Sequence, residues 1–330
     1  MKKELNLQLF AFTAGQTAGT PTVQPVNVTT QASMSPTMKT FYDTSLLENA
    51  REQMVLQQFG LKVPMHGNKV EWRRFDKFDK ALTPLTEGVI PTGQDFGQTK
   101  IEAETTQHGS YVTISDRLEL EAYDDIIYGA SEEMGASGGE TYETLTRNIL
   151  VAGTSVAYGG GKESRSALTN ADVLTPDLVN RAQTWLKKNK APKIDGYYVA
   201  IIHPSVAYDL RESEAWKEFH KYNDVAPIFK GEIGELHGVR FIESTEAKIW
   251  KDGDTCVYAT LFLGKDAFGV IEPEGEGMQM IVKPRTVAGG PLDQFSTIGY
   301  KFNHSAKILY PERLLRVETG SSYGSDDEAN

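Results

Sequence analysis

From Ser45 the chain reads as a helix: Leu46, Leu47, Ala50 and Met54 recur at helical spacing behind a Ser-x-x-Glu capping box of Ser45 and Glu48, and Gly60 stands where such a helix closes. The stretch before it has no period of either kind. Thr13 to Thr40 hold almost only Thr, Gln, Ser, Ala, Gly, Pro and Val, which predicts a flexible or extended arm. After the helix, strand-like runs around Val70 and Trp72 and around Tyr111, Val112 and Ile114 flank a Pro/Gly/Thr-rich middle from Thr83 to Gly97. Leu61 to Asp116 is therefore expected to form one long two-stranded excursion. With about twenty residues per arm at roughly 3.3 Å each, it would reach on the order of 60 Å. A domain of this length has a radius of gyration near roughly 20 Å. Such a hairpin would protrude from its own body and need a neighbouring molecule to lie on.

Arg117 to Ala152 reads as helical, with Ile127, Met134, Leu145 and Ile149 on one face and acidic residues elsewhere. Gly129, Gly135, Gly138 and Gly139 within it suggest a bend or a close helix contact. The loop Tyr158 to Ser166 leads into an alternating αβ region. Thr175 caps and Pro176 opens a helix whose buried face is Leu178, Val179, Ala182, Trp185 and Leu186. Tyr197 to Ile202 is a buried strand, and His203-Pro204-Ser205 starts a further helix. Strands follow at Val239 to Ile242, Cys256 to Leu263, Ala267 to Ile271, Met278 to Val282, Thr297 to Phe302, Ile308 to Tyr310 and Leu314 to Val317. The acidic tail from Gly320 is expected to be disordered.

The 330 residues suffice for one large or two modest domains, and no apolar run approaches the length of a membrane span. A basic and apolar start is interrupted by Glu4, Asn6 and Gln8, so no export signal is expected. The one cysteine, Cys256, reads as a buried strand thiol. A formal charge of −11 argues against a protein that coats nucleic acid through phosphate contacts, though not against one that encloses it.

The candidate chemistry is thin. Gly135-Ala136-Ser137-Gly138-Gly139 has the letters of a nucleophile elbow, but the elbow needs a strand before the serine, and Glu132-Glu133-Met134 belongs to a helical stretch. Gly159-Gly160-Gly161-Lys162 lacks the first glycine and the Ser/Thr of a phosphate loop. None of the six histidines pairs with another at metal-ligand spacing. No catalytic, cofactor or metal residue is assigned. The cluster Lys69, Arg73, Arg74, Lys77 and Lys80 lies among Trp72, Phe75 and Phe78, with Glu71, Asp76 and Asp79 interleaved, which favours contact with an acidic protein surface over nucleic acid. Trp72, Arg73, Arg74, Phe75, Leu82, Leu85, Val89, Ile90 and Phe96 are the candidate intersubunit contacts.

Four segments carry a likeness: Pro84 through Gly93 (Pro-Leu-Thr-Glu-Gly-Val-Ile-Pro-Thr-Gly), Gly109 through Asp116 (Gly-Ser-Tyr-Val-Thr-Ile-Ser-Asp), Gly139-Glu140-Thr141 through Thr146-Arg147-Asn148, and Ile201-Ile202-His203-Pro204-Ser205. With the opening Leu5-Asn6-Leu7-Gln8-Leu9-Phe10, and in this order, they resemble the major capsid proteins of tailed bacteriophages, and most closely the branch related to the capsid protein of coliphage N-four. The likeness runs from about Met34 to Val317.

It implies the α+β Hong Kong 97-type (Johnson) capsid fold. Residues 1–60 would be the N-terminal arm and first helix, 61–116 the extended loop, and 117–167 the spine helix and loop of the peripheral domain. Residues 168–274 would be the axial domain, 275–319 the peripheral-domain strands and C-terminal return, and 320–330 the disordered tail. The function implied is structural and not enzymatic: self-assembly into hexamers and pentamers of an icosahedral head around double-stranded DNA, without sequence-specific DNA binding or membrane contact. Partners would be further copies, a separate scaffolding protein, a portal protein and, as an open class, decoration proteins. Assembly would take place in the bacterial cytoplasm, with no cofactor, and Lys80 is a conceivable donor for a covalent crosslink. The alternatives are an encapsulin-type nanocompartment shell and, in a different class, a serine hydrolase using Ser137.

Overall fold

A computed structural model describes residues 54–64, 69–85, 87–90, 93–121, 126–214, 216–218, 232–253, 255–272, 278–288, 292–324 and 327–330. The expected arm, most of the capped helix after Ser45, and the opening Leu5 to Phe10 lie outside these residues. Of that helix only its expected last turn is described, and it is a 3₁₀ turn, Leu56–Gln58.

The first strands are β1 (Leu61–Pro64), β2 (Lys69–Phe75), β3 (Gln98–Glu104) and β4 (Thr106–Ser115), followed by helices α1 (Asp116–Glu121) and α2 (Ile126–Val151). Next come β5 (Val156–Tyr158), α3 (Pro176–Lys188), β6 (Tyr198–Ile202) and α4 (Pro204–Glu212). The chain then runs through β7 (Glu232–Leu236), β8 (Val239–Glu243), β9 (Ile249–Asp252), β10 (Thr255–Leu263) and β11 (Phe268–Glu272). It ends with β12 (Gln279–Lys283), α5 (Arg285–Ala288), β13 (Phe295–His304), β14 (Ala306–Ile308) and β15 (Leu314–Thr319).

β10 organises the largest sheet, of order β5-β15-β10-β6-β8-β7, with β9 also pairing β10. Its nearly unbroken apolar sequence suits a strand covered on both faces, because successive side chains point to opposite sides. Cys256, Tyr258 and Phe262 meet Val179, Ala182 and Leu186 of α3 and Val206, Ala207 and Leu210 of α4 in one core. Ala259, Leu261 and Leu263 meet Phe268 and Val270 of β11 and Leu150 and Val151 at the end of α2 in another. Both helix starts follow local chemistry. Thr175 Oγ1 accepts from Leu178 N at 3.3 Å, and the His203 ring accepts from Ser205 N at 3.2 Å.

α2 packs on the sheet β12-β13-β4 through Ile114, Tyr142, Met280, Ile298, Tyr300 and Phe302. The glycines make this possible. A Cβ on Gly138 would sit 2.8 Å from Met278 Sδ and 3.4 Å from the Tyr300 ring. The helix runs unbroken through them, so of the two expectations it is the close contact that holds. Its buried side includes the expected face, which packs against the cores, and extends past it. Ile127, Met134 and Leu145 are only partly buried against this core, whereas Glu143, Thr146 and Arg147 are buried. Ser137 lies inside the helix, with helix on both sides, which removes the strained strand-to-helix turn that a nucleophile elbow requires.

Two further expectations are corrected. The excursion is not one hairpin with arms of twenty residues. β1 pairs with β11 and β4 pairs along its whole length with β13, so only β2 and β3 form a ribbon, with Lys69 opposite Glu104 and Phe75 opposite Gln98. At roughly 3.3 Å per residue the ribbon is about 23 Å long. The described residues of the tail are bound, not free. Ser321 Oγ donates to Ser205 O at 3.0 Å, and the Asp327 carboxylate accepts from Ser205 Oγ at 2.7 Å and Tyr258 Oη at 2.6 Å. Asn330 bonds the backbone of Ile249 and Ala247 at 3.0 and 3.1 Å. An acidic composition predicted solvation, but these carboxylate and amide groups are matched by donors and acceptors on β10, α4 and β9.

Candidate subunit interface

The ribbon is anchored on one face and open on the other. Val70 and Trp72 point inward and pack with Ile271 and Leu309, and Trp72 is 3% exposed. Arg74 lies on the same side, 3.4 Å from Leu309 O and over the Tyr310 ring. These two expected intersubunit contacts therefore serve their own subunit first, because the alternation of β2 turns them to the body. The indole sits directly above Gly269 of β11, where an added Cβ would come within 2.9 Å of Trp72 Cδ1. Gly269→Ala should lift the ribbon root, costing about 1–3 kcal/mol as overpacking does. A red shift of tryptophan emission that is absent in Trp72→Phe would report it.

The outward face of the ribbon is a charge ladder. Lys69 faces Glu104 at 3.8 Å, and Lys100 bridges Glu102 and Glu71. Hydrogen bonding to Glu102, then to Glu71, holds the Lys100 ammonium above its ordinary value. Part of the basic cluster is thus neutralised within the ribbon, and among the described residues Arg73, Lys77 and Lys80 form no ion pair.

Past Phe75 the two chains stay together briefly, through Asp76 N to Gly97 O at 3.0 Å and Gln94 Nε2 to Asp79 O at 2.9 Å. Phe96 is stacked between Phe75 and Phe78, with ring centroids 5.0 and 5.4 Å away. Beyond this stack the described loop residues have no regular structure, and Leu82, Leu85, Val89 and Ile90 are 82, 78, 63 and 93% exposed. Loops of this length without secondary structure are usually functional. Isolated exposed leucines are ordinary, but a run of large apolar side chains on one projecting segment marks a contact surface.

The sheet β12-β13-β4 also has a free outer face. There Gly109 and Gly299 floor a groove of about 580 Å³, walled by Tyr111, Ile281 and Val287. Lys283 and Lys301 line it, and among the described residues no acidic side chain does. Sequence reasoning missed this groove. Its signal was the outward set Gly109 and Tyr111 on a strand whose other face is core. Among the described residues no group of His, Cys, Asp and Glu could hold a metal ion, and no helix is long and apolar enough to cross a membrane.

A family model described as phage capsid protein matches residues 141–272. A search of curated proteins finds no match. Among solved structures, the capsid of Ralstonia phage GP4 matches with a TM-score of 0.64 at 14% identity, covering 85% of this chain and 93% of that one. The capsid of cyanophage P-SCSP1u matches at 0.61 and 14%, covering 82% and 89%. A virus-like particle from Pyrococcus furiosus matches at 0.52 and 10%, covering 85% and 99%. With α2 laid across the β12-β13-β4 sheet, a helix-covered mixed sheet around β10 and a projecting ribbon and loop, this chain has the α+β Hong Kong 97-type capsid fold.

Proposed function

We propose that this chain is a major capsid protein that assembles with copies of itself, as hexamers and pentamers, into an icosahedral phage head enclosing double-stranded DNA. The observation that carries the reading is the loop on the ribbon. It presents Leu82, Leu85, Val89 and Ile90 to solvent from a stem anchored to its own body through Trp72. A subunit that stayed alone would gain nothing from such a surface. The likeness to phage capsid structures and the match to a phage capsid model support it.

A neighbouring copy offers a suitable receiving surface in the groove beside Tyr111, Ile281 and Val287. The loop carries Asp79, Glu87 and Asp95 against a single Lys80, while the groove is lined by Lys283 and Lys301. The relationship to the coliphage N-four branch, a scaffolding partner, a portal partner and assembly in the bacterial cytoplasm belong to the same proposal. Electron microscopy of the chain co-expressed with its scaffolding protein should show closed shells. Subunits that stay monomeric under every assembly condition would refute the reading. Shells that hold a protein cargo and no DNA would assign the chain instead to the nanocompartment class.

A further inference from the structure

Glu143 is 1% exposed, lies in the second half of α2, and does not belong to the interface. Its two carboxyl oxygens lie 3.0 and 3.1 Å from Leu56 N, 87 residues earlier in the chain. Leu56 opens the 3₁₀ turn Leu56–Gln58, and no side chain of that segment caps the turn. The helix supplies the cap. Met54 and Leu56, on either side of this contact, pack into different cores, Met54 beside Tyr142 and Leu56 beside Leu150. The segment is thus seated across Glu143, and all of the chain before Met54 leads into it.

The charged groups around this carboxyl are committed elsewhere. Arg147, one turn along α2, donates to Glu246 O at 2.7 Å and lies 3.7 Å from Glu246 Oε2. Thr144 Oγ1 also donates to Glu246, at 3.1 Å. Glu140 precedes Glu143 on the helix, Lys248 follows Glu246 in the adjoining turn, and from β13 His304 is held by Thr146 at 3.0 Å. The segment itself, Met-Val-Leu-Gln-Gln-Phe, brings no charge.

We propose that Glu143 is a proton-controlled latch, whose neutral form seats the segment Met54–Phe59 on α2 and whose ionised form releases that segment. The latch is independent of the shell reading. Burial pushes the Glu143 carboxyl up to about 8, against the lowering effect of the Leu56 and Val55 N–H groups, with Glu246 raising it further and Arg147 lowering it. Once ionised, the group needs water. The least costly opening is the short 3₁₀ segment that covers it, because it adds only Met54, Leu56 and Phe59 to these cores, whereas α2 packs on both along 26 residues.

The sign follows from linkage. A carboxyl raised in the closed state favours closure fully below its ordinary value near 4.5, and this preference is lost as pH rises to about 8. If opening exposes Glu143 to water, the opening equilibrium should rise about tenfold per pH unit across that window and level off above it. Burial pushes the His304 ring down to about 4, and the ring is held on β13 against Thr146 of α2, outside the segment that opens.

Hydrogen exchange of the Leu56 amide, corrected for the intrinsic pH dependence of exchange, tests the latch in the full chain between pH 5 and pH 9. Protection should fall about tenfold per unit and then flatten near pH 8 in the native protein, while in Glu143→Gln it should not change with pH. Flat protection in the native protein, or the same fall in the Gln variant, would overturn the proposal. If Glu143→Gln does not fold, Glu246→Gln decides: removing that negative charge should move the break to lower pH, and an unmoved break overturns the latch.

Discussion

Replacing Thr83 to Gly93 with a short Gly/Ser turn should leave a soluble, folded subunit that no longer closes into shells. Burying Leu85, Val89 and Ile90, which the replacement removes, on a neighbour is worth roughly 1.5–3 kcal/mol each before ordering costs are subtracted. Repeated at each subunit contact, that loss exceeds what a marginal shell contact can bear. The same side chains contribute nothing to their own subunit, since none of them belongs to a buried cluster. The replacement also spares the stem, because the Phe75, Phe96 and Phe78 stack and the Asp76 to Gly97 bond lie outside it. Circular dichroism should be near normal and electron microscopy should show no capsids. Normal capsids from this variant, or outright unfolding, would remove the loop from its proposed role.

Glu318→Ala should be among the most destabilising single substitutions in the chain, by about 3–5 kcal/mol, the usual cost of removing one partner from a buried ion pair. Glu318 is fully buried and receives Arg165 Nε at 2.8 Å and Arg165 Nη2 at 2.7 Å, with Arg316 Nε 2.8 Å away. The hydrogen bonds to Glu318 hold the Arg165 guanidinium above its ordinary value. Arg165 also stacks on Trp250, 3.5 Å from the ring centroid, so one carboxylate ties the loop after β5 to β15 and β9. Without it, two guanidinium groups are left facing each other beside an aromatic ring. Glu318→Gln keeps the shape and one acceptor and should cost clearly less. Urea denaturation of the free subunit would rank the two, and an Ala variant as stable as the native chain would show that the cluster is incidental.

Elements set by local chemistry were legible from the residues alone. The Thr175 cap with Pro176, the apolar run of β10, the buried Cys256 thiol, the strand before His203-Pro204 and the helix carrying the four glycines each depend on a few neighbouring residues, and each lies where the pattern put it. The resemblance supplied the fold, which no single motif here could have done. It was the order of parts, not any one chemistry, that pointed to a capsid protein.

What the sequence could not decide is where each strand finds its partner. Val70 and Trp72 on one side of the loop and Tyr111 to Ile114 on the other look like two arms of a hairpin, because both alternate. Register depends on long-range pairing, and β4 gains more by joining β13 over its full length, with one face on α2, than by extending an isolated ribbon in water. The same limit hid two buried carboxylates, Glu143 and Glu318, and the partly buried Asp327. Periodicity assigns acids to solvent, so Glu143, Glu318 and Asp327 read as surface. Each is held instead by a partner far away in the chain: the Leu56 amide for Glu143, Arg165 for Glu318, and Ser205 with Tyr258 for Asp327. Local composition determined which segments are helix, strand or projecting loop. Only the tertiary structure, by bringing donors to these carboxylates, decided which charges go inside.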